Sequence, residues 1–594
     1  MENVLSVFGG FSFVLKKNPA LSNSLFPGKL YNIHSKGENL MQYLITQEGH
    51  AITDIPWNRY PRPQLMRDEW LCLNGMWELH CHGRSGMIRV PFCPESLLSG
   101  VLAPPEVGED LEYRRFFSVP QTWDGMRVLL HFGAVMRSCT VIVNDRELCR
   151  HDNGYLPFTV DITEALCKGE NELRVRAVND LDPCFPWGKQ SRKRGGMWYT
   201  PCSGIWQSVW LEPVPEKYIR NIRFSCGKNW VEICAEGVFD GTVELDGQCY
   251  ALQDGKVKIS FSHPHLWSPE NPYLYRFELV CGDDRVQSYF ALRTLSTETV
   301  NKIPRLCLNG KPYFFNALLD QGYWSDGLYT PADPGAFERD ILAMKSFGFN
   351  TLRKHIKIEP EQFYYDCDRL GIIVFQDMVN NGEYRFFRDT ALPTAHFLRR
   401  RDQKLNPDPK TRSVFLESMD QTVSILRNHP CICLWTIFNE GWGQFCADDA
   451  YSRLKALDNT RFVDSTSGWF YQSKSDVESL HIYFGKLRLG RKKLPQLLSE
   501  FGGYVWKIPT HSFNPHNTYG YRIYKTKEAY VKALRKLYLS LIPLAKQGLC
   551  GAVYTQLSDV EDETNGLYTF DRAVLKIKPD QLSDIAAQLK DAVK

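Results

Sequence analysis

From about residue 300 onward the chain repeats one motif eight times: a short, densely apolar run, usually followed by a helix-length segment. The runs are Phe314 to Leu319, Thr351 to Arg353, Ile372 to Gln376, Cys431 to Phe438, Phe462 to Ser465, Leu480 to Tyr483, Gln496 to Ser499 and Gly551 to Gln556. Runs this short and apolar read as strands buried on both faces, the situation of a parallel sheet covered by helices. Eight of them over about 250 residues match a (β/α)8 TIM barrel. One intervening helix is explicit. Asp333-Pro334-Gly335 supplies a cap and a first-turn proline, Phe337, Ile341 and Met344 share one face, and Gly348 stops it.

Upstream the rhythm differs. Over 56–215, alternating runs such as Arg127 to Phe132, Thr140 to Val143 and Glu172 to Val178 are separated by turn residues, with almost no helical periodicity. This predicts a jelly-roll β-sandwich. A second set of strands over 216–297, including Val243 to Leu245 and Tyr273 to Leu279, suits a small immunoglobulin-like β-sandwich. Residues 1–55 show no sustained periodicity and read as a leader lying on the surface. The expected organisation is therefore leader 1–55, jelly-roll sandwich 56–215, immunoglobulin-like sandwich 216–297 and TIM barrel 298–594. A chain of 594 residues is too long for a single core.

Composition narrows the partners. With 71 basic and 68 acidic residues the net charge is +3, which leaves no electrostatic footprint for nucleic acid. The basic runs Ser191 to Arg194, Arg399 to Arg401 and Arg491 to Lys493 read as solvated loops. The 18 cysteines form no CxxC metal pair and no compact disulfide framework. Several, such as Cys431 and Cys433, stand in apolar runs, where a thiol behaves as a small hydrophobe. That usage suits a reducing compartment. Met1 to Leu15 lacks a basic n-region and is too short to span a bilayer, so the expected location is cytoplasmic, without membrane contact.

Barrel active sites lie at the C-terminal ends of the strands. There the fourth run enters Asn439-Glu440-Gly441-Trp442, and the seventh enters Glu500-Phe501-Gly502. A strand as apolar as Cys431 to Phe438 has little reason to end in an amide and an acid unless they face the mouth. Two carboxyls at one mouth meet the needs of glycosidic cleavage. One must be protonated to give a proton to the leaving oxygen, and the other ionised to attack the anomeric carbon or activate water. A single strand-end glutamate also fits an ion-pair role; two on one barrel favour the chemistry.

At these residues the chain resembles glycoside hydrolase family 2, the β-galactosidase, β-glucuronidase and β-mannosidase group. The likeness is carried by Leu73 to Trp77, Tyr113 to Phe117, Gly204 to Glu212, Leu266 to Tyr275, Arg427 to Pro430 leading to Asn439-Glu440, and Ser499 to Gly502. It implies a retaining mechanism with Glu500 as nucleophile and Glu440 as acid/base. It further implies Asn439 on the sugar 2-hydroxyl, with Arg353 and Tyr483 holding the nucleophile. The remaining expected substrate-binding residues are His481, Asp320, Gln321, His355, Asp377, Trp442 and Tyr554, the last standing where the family usually floors the pocket with tryptophan. Neither a cofactor nor a metal is expected. Asp377 fits one magnesium-ligand position of the family's microbial β-galactosidases, but Val379 stands where their histidine belongs.

The Asn-x-Lys pair with which β-glucuronidases read the uronate has no counterpart in Asp571 to Lys576, although Lys189, Lys354 and Lys357 are candidate cations. Asp320-Gln321 points instead to the hydroxyls of a neutral sugar. The expected function is a β-galactosidase-type exo-hydrolase of a carbohydrate substrate, and a homo-oligomer is compatible with it. Alternatives are β-glucuronidase, β-galacturonidase, β-mannosidase and α-L-arabinosidase, or a catalytically dead carbohydrate-binding protein.

Overall fold

The computed structural model describes residues 43–101, 104–394, 401–490 and 494–594, with the backbone of a strand pair at Phe13–Lys17 and Tyr31–Ser35. The rest of the expected leader up to residue 42, and the basic residues 399–400 and 491–493, lie outside the described residues. The leader's described end packs on the barrel, where Asp326 Oδ2 accepts from Thr46 N and Oγ1 at 2.8 and 2.7 Å.

Eight parallel strands build that barrel: β1 (Phe315–Asp320), β2 (Thr351–Lys354), β3 (Ile373–Asp377), β4 (Ile432–Asn439), β5 (Phe462–Ser467), β6 (Glu478–Ile482), β7 (Gln496–Gly502) and β8 (Leu549–Thr555). Their ladder runs β5-β4-β3-β2-β1-β8-β7-β6, and β5 and β6 come together at the seam. All residues of β1 to β5, β7 and β8 are buried; their apolar side chains fill the core, and polar ones such as Arg353, Asp377 and Asp464 are hydrogen-bonded inside it.

The helices that cover them are α1 (Gly335–Ser346), α2 (Glu361–Leu370), α3 (Pro409–Leu426), α4 (Ala447–Leu457), α5 (Lys527–Leu539), α6 (Leu541–Gln547) and α7 (Ser583–Ala592). Asp333 Oδ1 accepts the Gly335 N–H at 2.7 Å to start α1, whose Phe337, Ile341 and Met344 face the core. One departure concerns the β5–β6 and β6–β7 connections, which hold no helix among the described residues. Segment 468–477 is rich in aromatic, serine and glycine residues and has no 3.6-residue apolar repeat to bury. Among the described residues no helix is long and apolar enough to cross a membrane.

The first sandwich packs a six-stranded sheet against a four-stranded one, with strands from Leu71–Cys72 to Val209–Val214. Burial alternates along strands such as Gly75–Cys81, as in a sheet with one wet face. The second sandwich pairs a three-stranded and a four-stranded sheet between Asn221 and Phe290, around Ile233, Val243 and Leu279.

Charge clamps the modules together. Glu212 of the first sandwich is 0% exposed and accepts from Arg62 at 2.6 Å, Arg67 at 3.1 Å and the Tyr60 hydroxyl at 2.7 Å. Arg67 also grips Asp284 of the second sandwich at 2.9 and 2.8 Å. The second sandwich in turn holds the base of the barrel. Trp267 Nε1 donates to Asp368 O in α2 at 2.8 Å, and Arg293 donates to Pro430 O and Ile432 O at 2.6 and 2.5 Å, where β4 begins. Glu212→Ala would leave two buried guanidiniums short of their counter-charge. The expected loss is about 3–5 kcal/mol, read as a lower urea midpoint; a midpoint within experimental error of the parent would show that the cluster does not hold the sandwiches.

Candidate active site

The mouth is assembled at the ends of four strands by one side chain. Arg353, at the end of β2, donates Nε to Asp377 Oδ1 of β3 at 3.0 Å and Nη2 to Asn439 Oδ1 of β4 at 2.8 Å. Its Nη1 reaches Ser499 O at 2.9 Å and Glu500 Oε1 at 3.1 Å, both on β7. Because Asn439 accepts with Oδ1, its amide N–H2 is the group left to meet a ligand. The second oxygen of Glu500 accepts from the Tyr483 hydroxyl, one residue past β6. Tyr483 is held by stacking on Tyr521, 3.6 Å between ring centroids.

Glu440 follows β4 with φ of +52°, a left-handed conformation few non-glycine residues adopt. Its N–H bonds Ser467 O at the end of β5 at 2.9 Å, and its carboxyl crosses to His481 of β6, with Oε1 2.7 Å from Nδ1. The other ring nitrogen of His481 lies 3.6 Å from Glu500 Oε1, so the imidazole bridges the two carboxyls.

The two carboxyls titrate in opposite directions. Burial raises the pKa of Glu440, and the neighbouring charge of Glu500 adds to the rise, against the opposing bond from His481. Burial would also raise Glu500, but the charges of His481, Arg353, His355 and Lys189 outweigh it and hold the pKa at about 2. Behind them, Asp377 Oδ2 pairs with His355 Nδ1 at 2.7 Å. Burial and the charge of Lys189 bring the His355 pKa down to about 4, so its ring is charged only in the acid range in which Glu500 itself titrates and is neutral near pH 7.

The structure thus brings Glu440, Glu500, Asn439, Arg353, Tyr483, His481 and His355 to one mouth. Three expectations change. Asp377 is 1% exposed and bonded through both oxygens to Arg353 and His355, so its carboxylate is spent on holding them. Asp320 is spent internally: its Oδ2 accepts from Lys354 at 2.6 Å and its Oδ1 from Gly322 N at 2.9 Å. Gln321, beside it, keeps a buried Nε2 without an acceptor among the described residues. Tyr554 faces outward from β8. It is fully buried against Phe501 and Tyr538, and its hydroxyl accepts from Tyr504 N at 3.2 Å. Side chains alternate along a strand, so Thr555 is the β8 residue turned towards the mouth, and counting that alternation back from the core would have found it.

A wall that strand reading missed comes from the first sandwich. Its loop 182–203 bonds the chain after β3, where Trp187 N meets Asn380 O and Trp187 Nε1 meets Gly382 O, both at 3.1 Å. It also bonds the chain after β8, through Thr200 N to Glu561 Oε1 at 2.9 Å and the Tyr199 hydroxyl to Glu563. Trp198 of this loop packs 5.3 Å from Trp442 and 4.8 Å from Tyr384, which makes an aromatic cluster beside Glu440. These rings sit on loops of two modules, where periodicity gives no signal.

Sequence comparison finds three matching family models. "Glycosyl hydrolases family 2, TIM barrel domain" matches residues 302–488, "Glycosyl hydrolase 2 galactose-binding domain-like" residues 104–237, and "Glycosyl hydrolases family 2" residues 231–293. A β-galactosidase of Thermoanaerobacter pseudethanolicus is 24% identical over 453 residues, 68% of this chain and 55% of that protein. The β-glucuronidase of Rattus norvegicus is 26% identical over 407 residues, 61% and 59% of the two chains. A putative β-glucuronidase of Formosa agariphila is 26% identical over 388 residues, 60% of this chain and 34% of that one. The matches with these curated relatives thus span 34% to 59% of the relatives' length.

Among solved structures, the β-D-glucuronidase of Dictyoglomus thermophilum superposes with a TM-score of 0.68 at 19% identity, over 90% of this chain and 98% of that one. A β-galacturonidase of Eisenbergiella tayi bound to galacturonate gives 0.66 at 19%, over 89% and 99%. At such identities the likeness is one of fold.

A depressed carboxylate stabilises the fold above its unfolded pKa of about 4.3, and that contribution is lost as pH falls towards the folded value of about 2. Arg353→Met removes a counter-charge of Glu500, so the Glu500 titration should move upward and acid unfolding should begin at higher pH. Carboxyl 13C NMR of the two proteins reads this directly; coincident titrations would show that Arg353 does not set the charge of Glu500.

Proposed function

Because the chain belongs to glycosyl hydrolase family 2, we propose that it is a retaining β-glycosidase, with Glu500 as nucleophile and Glu440 as acid/base. One observation carries this reading: carboxyl oxygens of Glu440 and Glu500 lie within 4.8 Å of each other. A retaining pair stands about 5–5.5 Å apart, whereas inversion needs about 6.5–9.5 Å to admit a water. The opposed pKa shifts add support, since burial raises the Glu440 carboxyl while neighbouring charges hold Glu500 low, so the proton is favoured on Glu440 over Glu500.

In the first step the Glu500 carboxylate attacks the anomeric carbon. Its bond to the glycosidic oxygen breaks as Glu440 gives that oxygen its proton, and the aglycone leaves as an alcohol. The sugar is left as an α-linked ester of Glu500. In the second step Glu440, now ionised, takes a proton from water, and the hydroxide oxygen displaces Glu500. The product is a free sugar of β configuration, and both carboxyls return to their starting states. Asn439 N–H2 is placed for the 2-hydroxyl, and the Trp198–Trp442–Tyr384 cluster for the leaving group. The sandwich loop across the mouth favours removal of terminal sugars.

A neutral galactoside would need the Asp320 carboxylate free to accept sugar hydroxyls. With that carboxylate held by Lys354, the choice of sugar passes to other groups of the mouth. All eighteen cysteines are unpaired, which supports the cytoplasm as the enzyme's place.

Glu500→Ala should lose at least about 10³-fold in kcat on aryl β-glycosides. Azide should restore part of it and yield the α-glycosyl azide; ordinary turnover by this variant would sink the nucleophile assignment. Activity against pH should be bell-shaped, with an alkaline limb that disappears in Glu440→Gln, because deprotonating Glu440 removes the acid. Since Arg353 and His355 occupy both oxygens of Asp377, chelation with EDTA should leave the rate unaltered.

A further inference from the structure

The first sandwich delivers one cation to the barrel mouth that the scheme above does not use. Lys189 is 7% exposed, on the loop that crosses from β3 to β8. Its place is set by the backbone: Lys189 O accepts from Tyr199 N at 3.0 Å, and the next residue, Gln190, accepts from Cys202 N at 2.8 Å through Oε1. The ammonium lies between two ring faces, 5.7 Å from the centroid of Trp442 and 5.8 Å from that of Tyr199. Trp442 follows Glu440 by two residues, so Nζ stands beside the catalytic pair. Its charge acts on Glu440, Glu500 and His355 alike.

Among the described residues no carboxylate oxygen comes within 4.0 Å of Lys189 Nζ. The other cations of the mouth are all paired. Arg353 holds Asp377 and Glu500. Lys354 holds Asp320 and Glu359, and Lys357 holds Glu359 as well as the carbonyls of Gly322 and Tyr329. The indole N–H of Trp442, 2% exposed, also has no acceptor among the described residues. Two donors of this part of the mouth, the Lys189 ammonium and the Trp442 indole N–H, thus lack an acceptor among the described residues. A nearly buried ammonium with only ring faces about it is costly until an anion arrives. Glu500 does not fill that need, since Arg353 and Tyr483 already take its two oxygens.

Resting on the reading of this site as a retaining β-glycosidase, we propose that Lys189, with the Trp442 indole N–H, binds the carboxylate of the terminal sugar, making the substrate a β-linked hexuronide. The C6 carboxyl of a pyranuronide is three bonds from the anomeric carbon through the ring oxygen. A cation next to Glu440 and Glu500 is therefore within reach of that group when C1 sits at Glu500. A carboxylate also accepts several hydrogen bonds at once, which suits an ammonium and an indole N–H together.

The test is a comparison of nitrophenyl β-D-galacturonide and β-D-glucuronide with the matching galactoside and glucoside. For the wild type, kcat/KM on one uronide should exceed that on its neutral counterpart by at least about 100-fold. In Lys189→Met the loss on that uronide should be at least about 30-fold greater than on the neutral sugar, with the larger part in KM; Lys189→Arg should recover much of it. Trp442→Phe, which keeps the ring and removes the N–H, should show the same selectivity at smaller size. Because Lys189 has no ion-pair partner among the described residues, Lys189→Met should melt no lower than the wild type, and free uronic acid should raise the melting temperature of the wild type only. A wild type that prefers the neutral hexoside, or a Lys189→Met loss equal on both sugars, would overturn the proposal and leave the Glu440–Glu500 chemistry standing. Inactivity of the wild type on all four glycosides would instead overturn the glycosidase reading.

Discussion

The mouth of the barrel depends on a buried guanidinium. Arg353 is 1% exposed, and a full charge is tolerated there only because each nitrogen finds an anion or a carbonyl. Those same bonds set the site. They tie the ends of β2, β3, β4 and β7, turn the Asn439 amide so that its N–H2 faces outward, and offset what burial alone would do to Glu500. Geometry and electrostatics are thus one feature: moving Arg353 would release three side chains, Asp377, Asn439 and Glu500, and change the titration of the last.

The modules divide the remaining work. The second sandwich holds the start of β4 through Arg293, and β4 carries Asn439 and Glu440 at its other end. The first sandwich, clamped to the second by Glu212, Arg67 and Asp284, sends its loop over the top. Lys189 and Trp198 are held at the mouth by the bonds of that loop to the chain after β3 and after β8. The sandwiches therefore shape the site as well as flank it.

Much of this was legible in the chain. Strands buried on both faces are rich in apolar residues, so the eight runs appear directly, and the polar residues at their ends mark the mouth. Glu440 and Glu500 are readable for that reason. Tyr554 was misjudged because the position was taken by analogy and not by the alternation of side chains, which turns Thr555 inward instead. Asp320 was misjudged because a strand-end carboxylate looks alike whether it faces a ligand or a lysine. The missing helices after β5 and β6 follow from segments with no apolar stripe, a local signal that the count of strands overrode.

The sequence by itself determined the order of the modules, the strands of the barrel and the placing of Glu440 and Glu500 at strand ends, because each depends on local pattern: period, burial and the residue that ends a run. Only the tertiary structure decided which charges are spent and which remain. Lys354 and Lys357 lie in one stretch of β2 and the loop after it, and Lys189 lies over 160 residues earlier in another module. All three carry the same charge in the sequence. Coulomb attraction and hydrogen bonding act over a few ångströms of space, so the fold alone leaves two of these lysines neutralised and the third without an ion-pair partner among the described residues.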